Sequence, residues 1–281
     1  MSSALSCDPH DDADGDTWSV GPVRLRSRFL LGTAGYPSPA VLGEAIAASA
    51  AEIVTVGLKR SLGAAGDNGF IAIVREAVRE RGARLLPNTA GCRSAREAVQ
   101  LAQMARELYG TDWIKLEVVG DEHTLQPDPF ELVDAAAQLV RDGFTVFPYC
   151  TDDLVTCRRL LDVGCPLLMP WGAPIGSGQG LLNPSALRTL RERLPGTVLI
   201  VDAGIGAPSD AAQALEMGFD AVLLNSAVAQ ARDPVTMASA FRLAVEAGRA
   251  AFSAGVMAKQ DFAVPSTPVG GHAFLIGETT R

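Results

Sequence analysis

Lysine is scarce in this chain of 281 residues: 21 arginines accompany three lysines, Lys59, Lys115 and Lys259. Lys115 lies in the apolar run WIKLEVV (113–119), where Trp113, Lys115 and Glu117 share one parity and Ile114, Leu116 and Val118 the other. Side chains alternate faces along a strand, so an aliphatic set packed outward points Lys115 and Glu117 inward. An ammonium buried without a partner costs several kcal/mol or loses its proton well below the usual pKa of about 10.4. Arginine was available wherever a permanent charge sufficed; the residue used here can deprotonate, attack a carbonyl and form a Schiff base. The rival reading is a structural Lys115–Glu117 ion pair. Asp202 closes the run VLIVDAG on the parity shared by Val198 and Ile200. There it can exchange protons or orient the lysine, or simply cap the following loop.

Two further segments carry binding chemistry. Ala203-Gly204-Ile205-Gly206 and Asn225-Ser226 follow the last two apolar runs. Glycines allow backbone amides to approach an anion closely, and helix N-termini add their dipole, so these loops read as a phosphate site or as plain turns. The stretch Gly172 to Gly180 is richer in glycine than a simple connector requires; it reads as amides presented to a ligand, a lid, or a flexible link. Cys92, Cys150, Cys157 and Cys165 read as small buried hydrophobes, and Trp171 as packing. His10, His123 and His272 lie far apart and no C-x-x-C pair occurs, so no metal is assigned.

The elements that must position these groups form an alternation. Short runs at 29–33, 52–58, 84–90, 113–119, 145–151, 166–172, 197–204 and 220–226 read as eight strands. Helical spacing fills the intervals, in PAVLGEAIAASA, GFIAIVREAVRERG, SAREAVQLAQMARELYG and DPFELVDAAAQLVRDG, often opened by Ser, Asp or Asn and closed by Gly. Eight such units imply parallel strands with right-handed crossovers, closed as a single-domain (β/α)8 barrel whose site lies at the C-terminal ends of the strands. A doubly wound open sheet is the alternative, but no G-x-G-x-x-G follows the first strand. The expected division is an acidic disordered tail over residues 1–17, a barrel from 18 to 255 opened by a short hairpin or cap, and an irregular tail over 256–281.

Composition narrows the partners. A net charge of −8, with basic residues scattered, disfavours nucleic acid. No stretch approaches about 18 uncharged apolar residues and the N-terminus lacks an apolar leader, so the expectation is a cytoplasmic protein with no membrane partner. An odd count of five cysteines argues against a disulfide framework.

From Phe29 to Gly255 the sequence resembles the bacterial thiazole synthase family of thiamine biosynthesis. The likeness is carried by FLLGTAGYPS, EIVTVGLKR, LLPNTAGCRSAREAV, DWIKLEVVGD, FPYCTDD, GAPIGSGQGLLNP and IVDAGIGAPSDAAQALEMGFDAVLLNSAVA. The resemblance implies a (β/α)8 barrel in which Lys115 forms an imine with 1-deoxy-D-xylulose 5-phosphate and Glu117 and Asp202 move protons. It implies phosphate contacts at Gly176, Ala203, Gly204, Asn225 and Ser226. It also implies dehydroglycine as a second substrate, sulfur from the C-terminal thiocarboxylate of a ubiquitin-like sulfur carrier protein, a homodimer or homotetramer, and no metal or redox cofactor. Ser226 stands where the family has Thr, keeping the hydroxyl, and Trp171 is bulkier than the family residue. A class I aldolase shares the barrel, the lysine imine and the sugar phosphate. A non-catalytic sugar-phosphate binder would need the glycine loops but no inward lysine.

Overall fold

The structure, a computed structural model, describes residues 16–58 and 68–266. Of the two expected tails, residues 1–15 and 267–281 lie outside the described residues, as do Lys59, Cys7, His10 and His272. The chain opens with an antiparallel hairpin, β1 (Trp18–Val20) and β2 (Val23–Leu25). Eight parallel strands follow: β3 (Phe29–Gly32), β4 (Ile53–Gly57), β5 (Arg84–Asn88), β6 (Trp113–Leu116), β7 (Thr145–Cys150), β8 (Leu167–Pro170), β9 (Val198–Asp202) and β10 (Ala221–Leu224). They close into a barrel, β10 pairing with β3 through Val222 and Phe29. All eight runs read from the sequence are strands of this barrel.

Nine helices are described: α1 (Pro39–Ser49), α2 (Asn68–Arg81), α3 (Ala95–Tyr109), α4 (Pro129–Arg141), α5 (Leu154–Asp162), α6 (Pro184–Arg193), α7 (Pro208–Glu216), the single turn α8 (Ser226–Ala229) and α9 (Pro234–Ala254). Local chemistry sets their starts. Ser38, Ser94, Asp128, Asp153, Asn183 and Asp233 each accept a hydrogen bond from a first-turn amide. Proline follows directly in α1, α4, α6, α7 and α9, where its missing N–H costs nothing. Among the described residues, no helix is long and apolar enough to cross a membrane.

Strand parity divides the apolar residues into two bodies. One parity, including Leu31, Val54, Ile114, Leu116 and Val201, packs outward beneath the helices. The other, including Leu30, Ile53, Trp113, Phe147, Leu167 and Ile200, fills the barrel and continues into Trp18, Val20 and Leu25 of the hairpin. The hairpin therefore plugs the end where the strands begin, and the open end is where they finish.

Asp16, expected in a solvated run, is tied down instead. Its carboxylate accepts from Arg28 at 2.7 Å and from Arg249 of α9 at 2.7 Å. The Arg249 hydrogen bond is the largest cause holding its carboxyl at about 2, below the ordinary range. Composition could not show that Arg28 and the distant Arg249 converge on this side chain.

The plug yields a test of the fold. Trp18→Ala empties a buried indole site and also removes the hydrogen bond from Trp18 Nε1 to the Ser27 carbonyl. Urea unfolding should show a loss of roughly 3 to 5 kcal/mol. A loss below about 1 kcal/mol would mean that the hairpin does not close the core.

Candidate functional site

At the open end of the barrel lies a cavity of about 770 Å³. Lys115, Glu117, Asp202, Gly176, Ala203, Gly204, Asn225 and Ser226, the eight residues singled out in the sequence, all line it. The expected inward parity holds. Lys115, Glu117 and Asp202 are 4%, 5% and 2% exposed, with Ile114, Leu116 and Val118 on the opposite face.

Lys115 Nζ donates to Glu117 Oε1 at 2.6 Å and lies 2.8 Å from Asp202 Oδ2. The second contact departs from hydrogen-bond alignment, so it acts as an ion pair across the barrel from β9. The expected ion pair is thus present, but it is a triad. This overturns the expected fall in the lysine pKa. Burial alone pushes Lys115 down, but the charges of Asp202 and Glu117 more than offset it and hold the lysine above its ordinary value. For Asp202 burial is also the largest influence; Glu117 adds to it and Lys115 opposes it, leaving the carboxyl at about 6. The resting group is a charged ammonium held between two carboxylates.

Glu117 is set by a residue that the sequence reading missed. The pairing of β5 with β6 reaches Asn88 and Lys115, and β6 ends at Leu116. Beyond that point the fully buried Thr89 takes over the ladder. Its hydroxyl accepts from the Glu117 amide at 2.8 Å and donates to the Glu117 carbonyl at 2.8 Å, while its own amide donates to the Lys115 carbonyl at 3.1 Å. Thr89 fixes both lysine and glutamate backbones. A threonine after a strand carries no sequence signal for that task.

The glycine loops are interlocked. The Gly172 amide donates to the Ala203 carbonyl at 3.2 Å, and that of Gly180 to the Gly204 carbonyl at 2.8 Å. The loop from 172 to 180 is therefore pinned at both ends, which does not suit the lid reading. Ala203 and Gly204 both have left-handed backbone, with φ of 68° and 77°. A Cβ at Gly204 would fall 2.3 Å from the Ala173 nitrogen, so this glycine answers to the neighbouring loop as well as to any ligand. Asp210 on α7 accepts from the Gly206 amide at 3.0 Å and the Ala207 amide at 2.9 Å, committing both within the loop. At the same end, Ser226 Oγ lies 3.7 Å from where a Cβ on Gly176 would sit. Asn225 donates to the Ala34 carbonyl at 3.0 Å and presses so closely on β3 that Gly32 has no room for a Cβ.

Trp171 turns its indole N–H to Asp152 at 3.1 Å, and Asp152 also accepts from Asn183 at 2.8 Å. The bulky residue braces the base of the 172–180 loop. Cys92, Cys150, Cys157 and Cys165 are buried thiols. Among the described residues, no cluster of three His, Cys, Asp or Glu has a metal-holding arrangement.

A family model described as thiazole biosynthesis protein ThiG matches residues 19–268. The chain is 57% identical to a thiazole synthase of Coxiella burnetii over 92% of its own length and 98% of the relative's. It is 60% identical to a thiazole synthase of Brucella anthropi over 90% and 97% of the two chains. Among solved structures, a chain of the Amycolatopsis orientalis BexX/CysO complex matches with a TM-score of 0.76 at 30% identity, over 86% of this chain and 97% of that one. Salmonella typhimurium 3-hexulose-6-phosphate synthase, with a TM-score of 0.55 at 16% identity over 78% of this chain and 98% of that one, shares the fold alone.

The Thr89 ladder gives a measurable expectation. Thr89→Val keeps the shape and leaves the Glu117 amide and carbonyl buried without partners, so urea unfolding should show a loss of roughly 2 to 4 kcal/mol. Thr89→Ser should retain most of the stability. Equal stability of the valine and serine variants would show that the hydroxyl is idle.

Proposed function

Because this chain belongs to the ThiG family of thiazole biosynthesis proteins, we propose that Lys115 carries its chemistry as an imine with 1-deoxy-D-xylulose 5-phosphate. The other substrates in this reading are dehydroglycine and the thiocarboxylate of a ubiquitin-like sulfur carrier protein. The observation that carries the proposal is the position of Lys115 Nζ, buried at the cavity floor 2.6 Å from one carboxylate and 2.8 Å from another.

Each step has a group suited to it. The ammonium passes a proton to Asp202, whose carboxyl at about 6 is a far better acceptor near neutrality than an ordinary aspartate. The freed amine attacks the sugar ketone, and the same proton leaves with the carbinolamine hydroxyl as water, giving the imine. Glu117 and Asp202 then shuttle the protons that move carbonyl character to the neighbouring carbon. Sulfur transfer, condensation with dehydroglycine and loss of water close the ring. The sugar phosphate is assigned to the glycine end of the cavity, against Gly176, Ala203-Gly204 and Asn225-Ser226, because the paired left-handed backbone of 203–204 and the Ser226 hydroxyl converge there. A protein sulfur donor is supported by the structural relative that is itself a complex of two proteins, BexX and CysO.

Borohydride reduction in the presence of the sugar phosphate, read by peptide mass spectrometry, should place one adduct on the peptide containing Lys115. Lys115→Arg should fold and trap nothing, because a guanidinium keeps its protons. An adduct on Lys59 or Lys259 would overturn the assignment, and turnover without the thiocarboxylate carrier would favour an aldolase.

The pH dependence follows from Asp202. It must be ionised to take the lysine proton, so turnover should fall as pH drops through about 6. Asp202→Asn should lower turnover by roughly 10²-fold or more and abolish that acid limb. Persistence of the limb in the asparagine variant would assign it to another group.

A further inference from the structure

Beside the triad lies a side chain to which no step above gives a role. Tyr149 on β7 shares the inward parity of Phe147, and the register that sets Leu116 opposite Pro148 puts it next to Glu117. It is 1% exposed, its ring centroid is 5.3 Å from Lys115 Nζ, and its hydroxyl has no hydrogen-bond partner among the described residues. Burial is the main reason its hydroxyl resists ionisation, with the charges of Asp202 and Glu117 adding to it. The group is thus a proton donor on a ring that faces the ammonium shared by both carboxylates. A buried hydroxyl without a partner is costly, and phenylalanine would fill the same space without that cost.

Counting donors gives the hydroxyl a task. An ammonium offers three N–H donors, enough for both carboxylates and one more. A protonated imine on the same nitrogen has one. When Lys115 bonds to the substrate carbon and water leaves, the nitrogen can serve at most one of its two former partners. We infer that Tyr149 is a positioning residue whose hydroxyl, idle in the resting protein, donates to the carboxylate that imine formation leaves without a donor. Its ring meanwhile holds the cation through its π face. The inference rests on the imine reading of Lys115.

Tyr149→Phe separates the possibilities, since it removes the oxygen and keeps the ring. The melting temperature should stay level or rise, because a buried orphan disappears. Sugar-phosphate binding should be unchanged, while kcat falls roughly ten- to hundredfold, the worth of a hydrogen bond to a charged group. The acid limb of kcat, which reports the complex, should move to higher pH because the stranded carboxylate protonates more readily. The limb of kcat/KM, which reports the free enzyme, should stay in place. Unchanged kcat with an unchanged limb overturns the inference, as does a melting temperature lowered by several degrees, which would mean that the hydroxyl is already bonded at rest. Borohydride trapping on the wild-type chain tells the two failures apart. If it yields no Lys115 adduct, the imine reading fails; if both chains trap and turn over equally, Tyr149 alone loses its role.

Discussion

One ammonium shared by two carboxylates sets the terms for the open end of the barrel. Three ionisable groups are nearly out of contact with water, and both carboxylates lie within hydrogen-bonding reach of the ammonium. Desolvating any of them alone would cost several kcal/mol; together they are tolerable because each charge faces an opposite one at close range. The raised carboxyl of Asp202 reflects its burial first, with the charge of Glu117 adding to it and that of Lys115 opposing it. The same electrostatics sets the readiness for proton transfer. Burial pushes the lysine down and the aspartate up, and the opposite charges facing Lys115 more than cancel the first effect while leaving the second in place.

The triad spans the barrel, with Lys115 and Glu117 at the tip of β6 and Asp202 at the tip of β9. Its geometry therefore depends on barrel closure and on what fixes the strand ends. Thr89 holds one end by replacing a missing ladder pair with its hydroxyl. The other is held by loop against loop, with Gly172 and Gly180 bonded to the carbonyls of Ala203 and Gly204. Backbone-to-backbone contacts of this kind leave little slack at the strand tips.

Parity and punctuation were legible in the sequence because they are local. Alternation in WIKLEVV and VLIVDAG put Lys115, Glu117 and Asp202 on the barrel's inner face, and caps such as Ser38 and Asp128 marked where helices begin. What escaped was relational. The lysine was expected to lose its proton easily because nothing in its own segment places Asp202 beside it. Gly204 was read as making room for a ligand, and the sequence did not show that Ala173 on another loop constrains it as well. The roles of the Thr89 and Tyr149 hydroxyls depend on atoms brought near by closure of the sheet, which residue spacing does not encode.

Closure of the sheet also has a consequence in time. The seam joins β3 to β10, Phe29 opposite Val222, and Arg28 reaches across it to the Asp220 carbonyl at 2.7 Å. The first barrel strand made thus waits for the last. During synthesis from the N-terminus, β3 keeps one edge without hydrogen bonds until residues near 224 have emerged, and the long chain between them must be looped at an entropic cost that grows only logarithmically. Such distant pairing slows assembly and leaves a sticky strand edge exposed for its duration. The nascent chain is most vulnerable to misassociation in that interval, before the ends meet.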